Sequence, residues 1–211
     1  VDNGEIQIAS GQPTADVLAL VQALANAEYA SSEEAAYEHI DLTVNNGGPF
    51  DPASYGGDAA KALKVRQAFL LSVPRNEIIE KLIKPLNPDA RVRTSVLFIP
   101  GAEGYDEAES YYSNYLGADD ENRAKAKALL AEVGVSTPID VEFWYPEGNV
   151  RRGQEYELLK LSADSVGFNL IDESEPNWAF TETVSQTSTH TMQLSSLGLQ
   201  HRCQSQETTS T

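Results

Sequence analysis

The stretch PIDVEFWYPEGNVRRGQEYELLKLSADSVGFNLIDES, residues 138–174, decides the fold class. Its first part alternates apolar with polar residues and so predicts a strand with one buried face; the apolar positions are Ile139, Val141, Phe143 and Tyr145. The middle part predicts a helix from about Val150 to Val166, ended by Gly167. The last part, FNLIDES, predicts a second strand. Strand and helix in alternation indicate an α/β protein.

The flanking sequence continues this alternation of helices and strands. Thr14 can cap a helix with apolar residues on one face (Val17, Leu18, Val21 and Leu24), and the preceding residues 5–9 are a short extended candidate. Residues 39–45 alternate cleanly, with Ile40, Leu42 and Val44 on one side, and predict another strand. The pattern therefore begins well upstream of residue 138.

Three more helices are predicted between these strands. Asp58 can cap a helix that runs to about Leu71, and Pro74 suits the first turn of the next helix, which Pro85 stops. The sequence DDENRAKAKALLAEVG, residues 119–134, has acids at its start and glycine at its end, as the helix dipole and a glycine cap favour. Between them, residues 85–117 predict a long ordered excursion with a short strand at 96–99.

Charge and composition exclude several classes of partner. The 211 residues carry a net charge of −17 spread along the chain, so we expect neither nucleic acid nor an anionic membrane surface as a partner. No run approaches the roughly 20 apolar residues of a membrane-spanning helix. The chain opens at Val1 without a basic and apolar leader, so we expect no export signal within it and interpret it as a processed piece.

The last 31 residues, 181–211, differ from the rest. They are rich in Ser, Thr and Gln, carry only two acids and one arginine, and predict disorder or weak β structure. They also hold the single Met192 and Cys203, and two of the three histidines, His190 and His201. We therefore predict a domain at 1–180 and a separate tail at 181–211.

A search for chemistry finds no strong motif. The sequence has no phosphate-binding loop, no nucleophile elbow and no histidine or cysteine pair at zinc spacing, so we predict no catalytic residues, metal or cofactor. His39 stands alone on a strand, where a surface or satisfied histidine is the commoner role. Arg66 and Arg75 could bind an anion, but we expect them to hold two helices together through carbonyls or acids. Trp178 is either core or the wall of a cleft.

Six segments follow one another along about 175 residues of the chain: NGEIQIAS, NNGGPFDPASYGG, KALKVRQAFLLSVPRNEIIEKLI, NRAKAKALLAEVG, IDVEFWYP and GFNLIDESEPNW. In their order and spacing they resemble the solute-binding proteins of peptide and nickel ABC transporters, bacterial family 5. The helix pair of the family is matched by Val65, Arg66, Gln67, Ala68, Arg75 and Ile78, and a second helix by residues 125–134.

The resemblance implies a fold and a function. Members fold as two lobes that close on a ligand, usually an oligopeptide, and this chain resembles the second lobe of the type II periplasmic-binding-protein fold, a mixed sheet flanked by helices. It also implies an ABC transporter permease as partner and an extracellular, lipoprotein-anchored location for the longer protein. A single lobe offers half a cleft, so we expect weak or no ligand binding by this chain.

The resemblance also bears on the site residues and the tail. It favours Trp178 as a pocket wall and, less strongly, His39 as a ligand contact. The family strand expected after Trp178 is absent, but a reading shifted by one base through residues 190–199 permits Ala-Tyr-Asp-Ala-Ala-Leu-Phe-Ala-Trp, which is close to that strand. We therefore predict a frameshift between Trp178 and about His190; the alternative is a divergent tail that docks on the lobe.

Two other functions stay open at this point. One is an acidic hydrolase with paired carboxylates, which a pocket holding two close carboxylates of separated pKa would favour. The other is a self-associating interaction module, because a lobe without its mate exposes apolar surface.

Overall fold

Helices and strands are interleaved along the chain in this computed structural model. The structure describes residues 5, 7–9, 14–30, 38–95, 98, 101–105, 113–176, 191–195 and 202–204. The α-helices are α1 (Ala15–Gln22), α2 (Ala59–Ser72), α3 (Arg75–Ile78), α4 (Asp119–Val133) and α5 (Val150–Val166). The strands are β1 (Ile8–Ala9), β2 (Glu28–Ala30), β3 (His39–Leu42), β4 (Ile139–Trp144), β5 (Phe168–Asp172), β6 (Thr191–Ser195) and β7 (Arg202–Gln204).

The strands form two sheets. The larger has the order β3-β6-β4-β5, with β4 parallel to both β5 and β6, and β3 antiparallel to β6. The smaller has the order β1-β7-β2 and is antiparallel. The larger sheet is therefore mixed, and the predicted α/β fold with a mixed sheet and flanking helices is confirmed.

Local capping places the helix ends where the sequence predicts them. The Thr14 hydroxyl accepts a hydrogen bond from the Val17 amide, and the Asp58 carboxylate accepts one from the Lys61 amide at 2.9 Å. Gly167 ends α5 with φ at +119°, a left-handed conformation that other residues rarely adopt. These contacts satisfy backbone groups that a helix end leaves without an internal partner.

The core lies between the larger sheet and three helices, α2, α4 and α5. Alternate residues of β4 and β5 point toward these helices and are buried, whereas their neighbours on the opposite face are more exposed. Phe69 of α2 joins the layers, with edge-on ring contacts to Phe50 at 5.3 Å and to Phe168 at 5.1 Å. One face of the sheet is thus covered by helices.

Several elements differ from their predicted form. The strand predicted at 39–45 is shorter in the structure and ends at Leu42, which pairs with Met192 of β6. Only Leu18 is buried on the predicted apolar face of α1; Val17 is 45% exposed, since α1 packs mainly on the short β2. After α3 the chain continues as a π-helical turn, Ile79–Ile83.

Short 3-10 turns lie at Pro52–Tyr55 and Ser113–Tyr115. Of the strand predicted at 96–99, only Phe98 is among the described residues. No helix in the described part of the chain is both long and apolar enough to cross a membrane.

Candidate functional site

The parallel strands β4, β5 and β6 of the larger sheet end at the same edge, which is called here the C-terminal edge. β4 and β5 leave the sheet there, and a bridge between Pro146 and Glu175 extends their pairing. β3 runs the opposite way, so its first residue lies at this same edge, paired with Ser195 at the end of β6. In open α/β sheets, ligands bind in the crevice outside the carboxyl ends of the strands.

His39 therefore begins its strand at the C-terminal edge. Its side chain is 35% exposed, and its Nε2 atom lies 3.4 Å from Oδ2 of Asp41, two residues along the same face. The apolar neighbours Ile40 and Leu42 pack against the core, so His39 and Asp41 stand on the face away from the helices. This position leaves the imidazole partly open to solvent at the edge that α/β proteins use for ligands.

Trp178, the other predicted ligand contact, lies outside the described residues. The described chain approaches it through β5 and the edge residue Glu175, three positions earlier in the sequence. Its role as a pocket wall stays a prediction.

A cluster of four charged side chains lies behind the C-terminal edge; it consists of Glu38, Arg151, Arg152 and Glu155 and is called here the arginine clamp. Glu38 accepts from Nη2 of Arg151 at 2.7 Å and from Nε of Arg152 at 3.0 Å. Arg151 Nε also lies 3.2 Å from Oε1 of Glu155. The two arginine side chains are 5% and 1% exposed, so these pairs form largely out of contact with water.

The sequence carries only a partial signal for this cluster. Arg151 and Arg152 stand there as a basic pair among carboxylates, but the sequence does not show which carboxylate pairs with them. The pair occupies the first turn of α5, where the helix dipole disfavours cations. Two consecutive arginines in that position indicate nearby buried acids, and this signal could have found the cluster although not the identity of Glu38.

Burial also perturbs Glu155. Loss of water, together with the nearby Glu38 carboxylate, raises the pKa of its carboxyl to about 7 against the lowering effect of the two arginines. Oε2 of Glu155 is buried and has no hydrogen-bond partner in the described structure. The clamp therefore contains one carboxyl that exchanges a proton near neutral pH.

Two tyrosines beside the clamp bond to β5, and the first of these bonds runs from the Tyr156 hydroxyl to the Leu170 carbonyl at 3.3 Å. The Tyr145 and Tyr156 rings stack with centroids 5.4 Å apart, and the Tyr145 hydroxyl donates to Oδ2 of Asp172 at 3.1 Å. Burial raises the pKa of both phenols, so they stay neutral hydrogen-bonding groups at physiological pH.

A shallow, open groove of about 440 Å³ lies at the opposite end of the sheet. The start of β4, the loop at 47–49 and the residues after α4 line it. Among the described residues that line it, Asp140 is the one carboxylate, whereas Glu38 and Glu155, which both pair with Arg151, lie behind the other edge. The paired carboxylates that the hydrolase alternative needs are thus not found in this groove.

Arg66 and Arg75 hold loops and helices in place. Arg66 Nη1 donates to the Phe50 carbonyl at 2.7 Å, and Arg75 Nη1 donates to the Leu70 carbonyl at 2.7 Å. These contacts match the structural role predicted for both. Within the described ranges, no group of three or more His, Cys, Asp and Glu side chains is arranged to hold a metal ion.

Several solved structures have a similar fold. The periplasmic EDTA-binding protein EppA is 20% identical over 94% of this chain and 37% of its own, with a TM-score of 0.72. The oligopeptide binding protein of Thermus thermophilus, solved with a pentapeptide, is 18% identical over 92% of this chain and 34% of its own, with a TM-score of 0.60. NikZ of Campylobacter jejuni, solved with Ni(L-His), is 20% identical over 93% of this chain and 37% of its own, with a TM-score of 0.62.

At these identities the likeness shows the fold alone: a lobe of the type II periplasmic-binding-protein kind, as predicted. This chain spans about a third of the length of these structures. No curated protein matches the sequence. The model of the bacterial extracellular solute-binding proteins, family 5, middle region, matches residues 1–200. The resemblance seen in the sequence is thereby confirmed, and the chain belongs to the family 5 bacterial extracellular solute-binding proteins.

Proposed function

We propose that this chain forms part of a substrate-binding protein that captures extracellular oligopeptides for import by an ABC transporter. The observation that carries the proposal is the family match, which covers 200 of the 211 residues. Among proteins of similar fold, the one from Thermus thermophilus holds a pentapeptide. The chain acts by binding and release, without catalysis.

The proposed ligand face is the C-terminal edge, with His39 and Trp178 as contacts. His39 supports this assignment because it is partly exposed at that edge. Half of the ligand contacts would come from a first lobe outside this chain. We therefore expect this chain alone to bind a pentapeptide with a dissociation constant of about 1 mM or weaker, equivalent to about −4 kcal/mol.

The proposed partners and location follow from the same role. The longer protein would sit at the outer cell surface as a lipoprotein and deliver its ligand to an ABC transporter permease. Support comes from the family match alone.

Titration of the chain with penta-alanine tests this function. The chain has two tryptophans, so the Trp144→Phe variant leaves Trp178 as the only indole reporter. We expect its emission to change with peptide, and the His39 imidazole resonance to shift in the same titration. A Lys61→Gln variant in the opposite groove is the matched control and should leave both signals unchanged.

Two results would contradict the proposal. One is peptide-induced change at the groove near Lys61 but none at His39 or Trp178. The other is binding of Ni(L-His) or EDTA in place of penta-alanine, which would keep the binding function and reject the peptide.

We propose further that residues beyond about His190 are read out of frame. The support is the permitted reading Ala-Tyr-Asp-Ala-Ala-Leu-Phe-Ala-Trp across residues 190–199. Sequencing the coding DNA and its downstream region tests this directly. Family-like sequence in the shifted frame is expected; an early stop codon there would reject the frameshift and favour a divergent docked tail.

Self-association is a second candidate function that one observation favours. Helix α1 exposes two apolar side chains, Leu20 at 70% and Val17 at 45%. Light scattering across a concentration series should show growth in mean mass that a Leu20→Lys variant abolishes. A constant monomer mass would remove this candidate.

A further inference from the structure

The arginine clamp joins the start of β3 to the start of α5. Glu38 immediately precedes β3, and both of its carboxylate oxygens are used, one by each arginine. The arginines lie in the first turn of α5, 113 and 114 residues away in sequence. Glu38 therefore connects two elements that no short loop connects.

β3 needs such an attachment because it is a terminal strand of its sheet. In the described strand order it pairs on one side only, with β6. A strand held along one side opens more readily than a strand paired on both sides. Ile40 and Leu42 pack on the core and hold the middle and end of β3. At the start of β3, the side chain that faces the helices is that of Glu38, which directly precedes His39.

We propose that Glu38 is a positioning residue, which through Arg151 and Arg152 fixes the first residue of β3, His39, at the ligand edge. Alternation along the strand puts Glu38 toward α5 and His39 toward the opposite face. Both arginines are nearly closed to water, which makes each charge-assisted pair stronger and more directional than a surface pair. The ligand role of His39 belongs to the proposed function, whereas its placement by Glu38 is a separate structural claim.

Hydrogen exchange of the full chain tests the placement. In Glu38→Gln one of the two acceptor oxygens becomes an amide nitrogen that cannot accept, so one of the two bonds to the arginines is lost. We expect the hydrogen-bonded amides of β3 to exchange at least about tenfold faster, with unchanged protection in α4, because the opening is local. The His39 imidazole resonance, assigned by its loss in His39→Gln, should shift as well.

Two further variants sharpen the test. Glu157→Gln removes the same charge from an exposed position of α5 and should change neither signal. Glu38→Asp keeps the charge but retracts it by one methylene group, and should give an intermediate increase in β3 exchange. It also serves where Glu38→Gln fails to fold.

The inference is overturned if, in Glu38→Gln, the amides of β3 exchange at the wild-type rate and the His39 imidazole resonance does not shift. It is also overturned if faster exchange spreads equally to α4, since Glu38 would then support the whole fold and position nothing in particular. Both outcomes are independent of ligand. If penta-alanine changes the groove near Lys61 and leaves His39 and Trp178 unchanged, the proposed ligand face fails, and β3 exchange still decides the role of Glu38.

Discussion

Glu155 of the arginine clamp should make the stability of the folded chain fall as pH rises, and replacing it by Gln should remove this loss. Burial and Glu38 raise the pKa of Glu155 from 4.5 to about 7 in the folded chain. Between these two values the folded state keeps a proton that the unfolded state has lost. The stability of the wild-type chain therefore falls as pH rises through this window and levels off above pH 7.

The size of the effect follows from the same two values. A tenfold change in proton affinity is worth about 1.4 kcal/mol, so the full window corresponds to about 3 kcal/mol. Gln has nearly the same shape and no charge, and its amide oxygen can still accept from Arg151. Relative to wild type, Glu155→Gln should thus gain about 3 kcal/mol in unfolding free energy between about pH 4.5 and about pH 8.

Equilibrium unfolding in urea, followed by circular dichroism at several pH values, measures this gain. The chain has 32 acidic residues, whose shared pH dependence cancels in the difference between variant and wild type. The exposed Glu157→Gln in the same helix is the control, and the gain of Glu155→Gln with pH should exceed any change that this control shows. A difference for Glu155→Gln that stays constant with pH, or one that shrinks as pH rises, would refute the reasoning.

Other substitutions test the backbone and the buried hydrogen bonds, all by urea unfolding at fixed pH. Gly167→Ala should destabilise by about 1–3 kcal/mol, because its φ is +119° and the new Cβ would lie 2.9 Å from a Thr137 methyl. Gly153→Ala, inside α5 with open space around it, should stabilise by about 0.5–1 kcal/mol; destabilisation there would contradict the helical assignment. Arg66→Met should cost about 1–3 kcal/mol through its lost bond to a loop carbonyl. Lys127→Met, the control at an exposed position, should change stability by less than about 0.5 kcal/mol. If it costs as much as Arg66→Met, the proposed role of Arg66 is refuted.

The sequence predicted features that depend on a few neighbouring residues. Thr14, Asp58 and Gly167 each act within four positions of themselves, so the ends of α1, α2 and α5 could be read directly from the sequence. Periodicity likewise located β4 and β5. The exposed face of α1 was missed because burial depends on what packs against a helix, which periodicity does not show.

Pairings between distant residues could not be predicted in this way. Glu38 meets Arg151 across 113 positions, and one acid among 32 carries no mark of its partner. The alternating pattern predicts a strand at His39, but its position at the C-terminal edge depends on the antiparallel pairing of β3 with β6. That pairing in turn involves residues 191–195, which composition assigns to a separate tail.

The position of β6 links the tail to the candidate site. β6 lies between β3 and β4, so it is the strand through which β3 and His39 are joined to the rest of the larger sheet. Its ladder is made by main-chain groups, which any sequence of sufficient β propensity can supply. A change of reading frame would thus preserve the pairing of β3 while replacing the residues that the family strand would bring to this place. Under that condition the arginine clamp, which is built from residues 38 and 151–155, keeps His39 in place even where neighbouring ligand contacts are lost.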